Sequence, residues 1–120
     1  MTRSSAGLGA RGETEGARHL ESLGFRILER RFRTRAGEID LVAEDGDTLV
    51  FVEVKSRSAL GFGSPAEAVD ARKQARLRRT AEIYLMEHGA RDRHCRFDVL
   101  EVLRSSGGRL RYALIRDAFD

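Results

Sequence analysis

Apolar residues recur along the chain with two periods, and these periods predict seven elements of secondary structure. Ala17 and Leu20 follow Glu13 at helical spacing, and Gly24 stands where a helix commonly ends. Ser64-Pro65-Ala66-Glu67 is a capping box that predicts a second helix, ending near residue 89. Segments rich in Val, Ile, Leu and Phe are typical of strands, and here they cover residues 25–33, 37–44, 48–55, 96–103 and 110–115. The predicted order is therefore α-β-β-β-α-β-β.

The dipeptide Asp45-Gly46 indicates a tight hairpin between the predicted strands 37–44 and 48–55. With these two residues as the turn, Glu44 lies opposite Asp47, and side chains two apart on a strand share a face. Asp40 and Glu53 then become diagonal neighbours with backbones about 7–8 Å apart, a gap that two side chains and one divalent cation can bridge. The charged residues on this face are Glu38, Asp40, Glu53 and Lys55, with Glu38 directly opposite Glu53.

Charged side chains on a covered sheet face seldom lack a partner or a metal ion. Val50, Val52 and Val54 make the other face of the hairpin apolar, while Leu49 and Phe51 share the charged face. Neither face is therefore purely solvent-facing. The pattern is compatible with a metal site and equally with a structural ion pair between an acid and the lysine.

The composition is that of a globular domain. The 120 residues are 41% apolar, and no run approaches the ~20 apolar residues of a membrane span. We expect a flexible segment over residues 1–10 and one domain over residues 11–120. The N-terminus lacks the apolar stretch of a secretory signal, and one cysteine cannot form an intramolecular disulfide. These features predict a cytoplasmic protein with no membrane partner and no structural zinc ion.

The net charge of +3 is too small to indicate a nucleic-acid partner by itself, but the charges are unevenly placed. Residues 24–36 hold five arginines against one glutamate, whereas residues 37–56 hold six acids against one lysine. Residues 57–96 return to an excess of positive charge. An acidic segment between basic ones is typical of a cation site on a phosphate-binding surface, and solvated loops explain it equally well.

Two motifs, Gly37-Glu38-Ile39-Asp40-Leu41 and Phe51-Val52-Glu53-Val54-Lys55-Ser56-Arg57, resemble the YraN-like family of small bacterial proteins. The resemblance continues through Gly12-Glu13, Lys73-Gln74 and Arg96-Phe97-Asp98-Val99, and it covers nearly all of the chain after the first ten residues. The family has a restriction-endonuclease-like fold, which implies a three-layer α/β domain with a central mixed sheet flanked by helices. It is similar in turn to the archaeal Holliday-junction resolvases.

The nuclease signature of those resolvases is an Asp, then Glu-x-Lys, with a Glu on the first helix; Asp40, Glu53, Lys55 and Glu13 match it in turn. The resemblance implies a Mg²⁺ (or Mn²⁺) ion held by Asp40, Glu53 and the Val54 carbonyl, with Glu13 as a further ligand or as the holder of a water at the ion. Lys55 would position the attacking water or stabilise charge on the phosphorane.

The predicted function is accordingly a Mg²⁺-dependent endonuclease that hydrolyses DNA phosphodiester bonds, with branched or structured DNA as a candidate substrate. Two alternatives stay open on the same fold: a catalytically inactive DNA-binding module and a protein-interaction adaptor. Cutting both strands of a two-fold DNA substrate would require a homodimer, and the predicted strands 25–33 and 110–115 are candidate interfaces.

The second predicted helix adds polar candidates. Gln74 interrupts a core-facing apolar stripe, and related nucleases often carry a Gln there, so we count it among the candidate catalytic residues. Five cations and no acid occupy residues 72–79, more than solubility requires, although a solvated face is the usual explanation. The candidate phosphate contacts are Arg57, Arg72, Lys73, Arg76 and Arg79. Arg31 departs from the family pattern, in which asparagine is common at this position.

Overall fold

The computed structural model describes residues 3–58 and 69–120, except for the side chains of residues 3–11 and 58. Its elements follow the predicted order: α1 (Arg3–Ser22), β1 (Arg26–Arg33), β2 (Glu38–Asp45), β3 (Thr48–Ser58), α2 (Ala71–Glu87), β4 (Cys95–Arg104) and β5 (Leu110–Phe119). The flexible segment over residues 1–10 and the single domain over residues 11–120 stay predictions.

The five strands form one mixed sheet in the order β1-β2-β3-β4-β5. β3 and β4 are parallel and every other neighbouring pair is antiparallel. Ala17 and Leu20 of α1 pack on one face, and Leu77 and Ala81 of α2 pack on the other. The three-layer α/β architecture is thus confirmed. Neither described helix is long and apolar enough to cross a membrane.

Helix α2 begins later than the sequence predicts. Asp70 has an extended backbone, with φ −75° and ψ 176°, and its carboxylate accepts a 2.9 Å hydrogen bond from the Lys73 N–H. Asp70 is therefore the N-cap, and the prediction of one continuous helical region from residue 64 is wrong. The capping box at residues 64–67 lies outside the described residues. This start places Lys73 in the first turn of the helix.

The turn of the β2–β3 hairpin is Gly46-Asp47, one residue later than the sequence predicts. Asp45 pairs with Thr48, and the first turn residue has φ +61°. The carboxylate of Asp45 accepts hydrogen bonds from Arg96 at 2.8 Å and from Arg116 at 2.9 Å. These two contacts hold Asp45 in the strand, so the turn forms beyond it.

The corrected turn shifts the strand pairing by two positions, which leaves the two faces of the hairpin unchanged. The ladder includes the pair Leu41 and Val52. Continuing this register by one step brings Asp40, rather than Glu38, opposite Glu53. The predicted diagonal relationship between the two motif acids is therefore wrong, and they are closer neighbours than expected.

Two glycines let the helices approach the end of the sheet where β2 begins and β3 ends. A Cβ added at Gly12 of α1 would collide with Ser56 Oγ of β3. Gly37, just before β2, has φ +154°, and a Cβ there would lie 3.2 Å from Thr80 Oγ1 of α2. Glycine provides both the close approach and the unusual backbone angle. Both helices therefore reach the same end of the sheet, one on each face.

Candidate functional site

Carboxylates from three elements meet at the end of the sheet where β2 begins and β3 ends. Glu13 of α1 and Glu38 and Asp40 of β2 have carboxylate oxygens within 4.8 Å of one another. Glu53 of β3 lies close enough to Asp40 for their carboxyl groups to hydrogen-bond. We call these four residues the acidic cluster. Glu13 arrives from one face of the sheet, whereas α2 covers the other.

Asp40 is the member of the acidic cluster whose charge is least compensated. Its Oδ2 accepts a 2.7 Å hydrogen bond from the Val54 N–H, and it forms no ion pair with any residue that the structure describes. Burial, the charge of Glu53 and a hydrogen bond with Glu53 raise the pKa of Asp40 to about 8. In the absence of a cation this carboxyl group is therefore largely protonated at neutral pH.

Glu13 and Glu38 each face an arginine of β1. Glu13 Oε1 lies 2.7 Å from Arg31 Nε, and Glu38 Oε1 lies 3.3 Å from Arg33 Nε. Arg31 reaches its partner from a left-handed backbone with φ +53°. The basic segment that precedes β2 in the sequence thus neutralises part of the acidic segment that follows it.

Two lysines share the carboxylate of Glu53, which is only 8% exposed. Lys73 Nζ lies 3.3 Å and Lys55 Nζ 3.9 Å from Glu53 Oε1. Burial lowers the pKa of Lys55, and its hydrogen bond with Lys73 lowers it further. Burial also acts to lower the pKa of Lys73, but the hydrogen bond with Lys55 and the Glu53 carboxylate outweigh it and raise that pKa. Lys73 therefore holds its proton more tightly than Lys55.

A cavity of about 290 Å³ opens onto the acidic cluster. Glu38, Asp40 and Glu53 line it on the sheet side, while Lys73 and Arg76 line it from α2. Both signs of charge thus face the same small volume. Such a cavity suits a cation bound together with an anionic group, because each would be matched by side chains already in place.

The structure brings most of the predicted catalytic residues together but leaves one apart. Asp40, Glu53, Lys55 and Glu13 meet as described above. The Val54 N–H points to Asp40, and because the N–H and C=O of one strand residue point the same way, its carbonyl also points toward β2. Gln74 is directed elsewhere, since its side-chain amide donates a 2.9 Å hydrogen bond to the carbonyl of residue 69.

The predicted phosphate contacts have three different surroundings. Arg57 is paired with Glu101 at 3.2 Å, and Lys73 lies in the acidic cluster's cavity. The remaining three, Arg72, Arg76 and Arg79, are exposed on α2, and none forms an ion pair with a described residue. We call these three residues the α2 stripe.

Sequence reasoning missed two members of the site. The strand pattern puts Glu38 on the correct face, and its alternation with Asp40 is the signal that could identify it as a further ligand. The sequence marks Arg31 only as a departure from a family pattern. Nothing local in the sequence indicates that its guanidinium reaches a helix residue 18 positions earlier.

Comparison with known proteins finds close relatives over nearly the whole chain. Residues 12–102 match the model of a family described as "Uncharacterised protein family UPF0102". The chain is 51% identical over 112 residues to UPF0102 protein STH1475 of Symbiobacterium thermophilum, which covers 93% of this chain and 95% of the relative. It is 51% identical over 114 residues to a UPF0102 protein of Beutenbergia cavernae, covering 95% and 97%. It is 38% identical over 112 residues to one of Persephonella marina, covering 93% and 92%. The family match spans all four members of the acidic cluster.

Proposed function

The chain belongs to the uncharacterised protein family UPF0102, which is the YraN-like family that its motifs resemble. On this premise we propose that the protein is a Mg²⁺- or Mn²⁺-dependent endonuclease acting on DNA phosphodiester bonds. The observation that carries the proposal is the acidic cluster, in which Asp40 has no ion-pair partner among the described residues while two lysines stand beside Glu53. Branched or otherwise structured DNA is included among the substrates.

The donor set of the acidic cluster fits a hard divalent cation. Mg²⁺ prefers oxygen ligands and is commonly held by one or two carboxylates with waters. Asp40 is the central ligand that we propose, with Glu53, Glu13, Glu38 and the Val54 carbonyl as the others. The raised pKa of Asp40 supports this assignment, because a bound cation would supply the positive charge that the protein does not.

Hydrolysis joins a water oxygen to phosphorus and breaks the bond from phosphorus to the leaving sugar oxygen, which takes up a proton. When bound, Mg²⁺ would supply a Lewis acid for the phosphate and a lower pKa for a water molecule. Lys55, which is 3.9 Å from Glu53 Oε1, would hold the water or the phosphate oxygen on which charge develops. Lys73, whose Nζ is 3.3 Å from Glu53 Oε1, would hold that carboxylate in place.

The α2 stripe supports DNA as the partner. Arg76 lines the cavity, and Arg72 and Arg79 lie one turn away on either side along the exposed part of the helix. Exposed arginines without acidic partners bind phosphate groups through paired N–H donors. A DNA backbone that entered the cavity would therefore meet these residues next to the acidic cluster.

The ion pairs of the acidic cluster favour a second candidate function. Arg31 and Arg33 already neutralise Glu13 and Glu38, so two of the four acids are satisfied without a metal ion. A module that binds DNA without cutting it needs no metal ion, so acids that are already neutralised by arginines are compatible with that function.

Incubation of the protein with linear, single-stranded, flapped and four-way DNA, each with Mg²⁺, Mn²⁺ or EDTA, tests the proposal. We expect cleavage of at least one substrate with metal and none with EDTA. The matched control is Asp40→Asn, which keeps the shape of the side chain and removes its charge. Cleavage that survives in this variant would contradict the assigned site, and binding without cleavage of any substrate would favour the non-cutting module.

A further inference from the structure

The β4–β5 hairpin carries three arginines around a cavity that is separate from the acidic cluster. Arg104, Arg109 and Arg111 line a volume of about 490 Å³ together with Leu103, Ser105 and Gly107. All three arginines are exposed, and none forms an ion pair with a described residue. The chain contains no acid between residues 102 and 116, so nothing nearby in sequence offsets their charge. Clustered charges of one sign focus potential toward an anionic partner.

The turn that presents these arginines has a defined structure. The Ser105 N–H donates to the Arg109 carbonyl, and the Gly108 N–H donates to the Ser105 carbonyl, both at 2.9 Å. The Arg109 N–H donates to Ser105 Oγ at 3.2 Å, and Gly108 has φ +81°. The backbone of the tip is thus held by its own hydrogen bonds. Arg109 and Arg111 extend from a fixed support.

The strand register places this hairpin at the same end of the sheet as the acidic cluster. In the parallel β3–β4 pair, Lys55 is the partner of Glu101, and Arg104 lies three residues further along β4. Three residues of strand span about 10 Å, the rise of about three base steps along duplex DNA. Arg111 is the partner of Leu103, which is two residues from Glu101, so it lies on the face that carries Lys55.

We infer that the β4–β5 hairpin is a second phosphate-binding surface, at which Arg104, Arg109 and Arg111 hold a nucleic-acid backbone a few nucleotides from the acidic cluster. That the anion is nucleic acid rests on the proposed function. Guanidinium groups bind phosphate with two parallel hydrogen bonds, and three of them around one cavity suit adjacent phosphates on one strand. The hairpin and the α2 stripe would contact the backbone on opposite sides of the cluster.

The test measures binding of a labelled DNA duplex by fluorescence anisotropy in EDTA, over about 50–200 mM salt. The double variant Arg109→Gln/Arg111→Gln should reduce the slope of log K against log salt by about 1.8, since each phosphate contact contributes about 0.9. At 0.1 M salt the affinity should fall by up to about 60-fold, the factor that this slope produces over one decade of salt. The variant Arg109→Lys/Arg111→Lys should keep most of the slope.

The matched control is Arg26→Gln/Arg91→Gln, which removes two exposed arginines at the opposite end of the sheet and should leave the slope unchanged. Equal thermal unfolding midpoints establish that all variants fold. A slope unchanged in the hairpin variant overturns the inference without touching the endonuclease proposal. Binding of labelled poly-glutamate is measured in the same way. If the hairpin variant loses poly-glutamate binding and keeps DNA binding, the inference is overturned in favour of an acidic protein partner. A hairpin-dependent slope in a protein that never cuts DNA supports the inference and defeats the endonuclease proposal.

Discussion

Arg31 donates a 2.7 Å hydrogen bond from Nε to Oε1 of Glu13, from a backbone with φ +53°. Residues other than glycine seldom adopt this conformation, and asparagine tolerates it better than most. The strand therefore holds an arginine in an unfavourable conformation, and that arginine neutralises one member of the acidic cluster. The same interaction competes with any cation that would use Glu13 as a ligand.

Replacing Arg31 tests this competition. In Arg31→Asn the left-handed backbone becomes easier to adopt and Glu13 loses its basic partner, so we expect Mg²⁺ to bind several-fold more tightly by calorimetry. Arg35→Asn is the control, because it changes a nearby exposed arginine that has no hydrogen bond or ion pair with the described residues of α1. Weaker Mg²⁺ binding in Arg31→Asn would instead mean that Arg31 positions Glu13 for the ion.

Removing either motif acid should abolish metal binding. Asp40→Asn and Glu53→Gln each delete one carboxylate from the acidic cluster, and both should lose calorimetric Mg²⁺ or Mn²⁺ binding together with any cleavage. Without metal, Asp40→Asn should leave the free energy of unfolding level or raise it, because it removes a buried carboxyl group that has no basic partner among the described residues. Glu53→Gln should lower it, because Lys55 and Lys73 lose the carboxylate that they share. Two variants that bind metal as the parent does would show that the ion lies elsewhere.

The stability of the metal-free protein should depend on pH through Asp40. Its pKa is raised from 3.8 to about 8, so between these values the folded protein holds a proton that the unfolded chain has lost. The free energy of unfolding should therefore fall as pH rises from about 4 to about 8, by at most ~1.4 kcal/mol per unit from this group. Urea unfolding in EDTA near pH 5 and near pH 8 gives, at each pH, the difference in the free energy of unfolding between wild type and Asp40→Asn. A difference that does not change with pH would mean that Asp40 is ionised in the folded state.

The α2 stripe should contribute to DNA affinity in proportion to its charge. Replacing Arg72, Arg76 and Arg79 together by glutamine should reduce the salt slope by up to ~2.7 and weaken binding. The fold should persist, because these side chains are exposed. The Arg26→Gln/Arg91→Gln variant is again the control, and the change in salt slope is divided by the number of arginines removed before the two variants are compared. An unchanged slope would assign the stripe to solvent or to a protein partner.

Symmetric cutting of a four-way junction should require two copies of the chain. One acidic cluster aligned with one phosphodiester can cut one strand at a time, whereas a two-fold dimer presents two clusters to opposed strands. β1 and β5 are the edges of the sheet and offer unpaired backbone for such an interface. Light scattering with and without junction DNA should detect a dimer in at least one state. Paired symmetric incisions by a strict monomer would contradict this mechanism.

Local signals were enough to predict the elements and the face that carries the acids. Alternating apolar residues and a glycine turn define the β2–β3 hairpin, and the error in its turn was harmless because it moved the pairing by two positions. Asp40 and Glu53 therefore kept a common face. The sequence could not place the turn itself, since Asp45 is held in β2 by Arg96 and Arg116, which are more than 50 residues away in the chain.

Long-range partners also decided the roles of residues that the sequence left open. Asp98 is buried, and its carboxylate accepts hydrogen bonds from Arg96 Nε at 3.0 Å and from the Asp117 N–H at 2.9 Å. It joins β4 to the edge strand and lies away from the acidic cluster. The sequence predicts Lys73 only as a phosphate contact, because helical spacing alone does not show that its amine reaches Glu53.

The absence of a side chain at Gly12 lets α1 lie against Ser56, and this contact has a consequence for how the protein folds. Glu13 reaches Asp40 and Arg31 only when α1 docks on the sheet, so docking brings one more carboxylate to the acidic cluster together with the ion pair that neutralises it. The packing of Ala17 and Leu20 holds the helix alongside that ion pair. A divalent cation shared by Glu13 and Asp40 would tie the helix to the sheet, so divalent cations should strengthen the attachment of the first helix during folding.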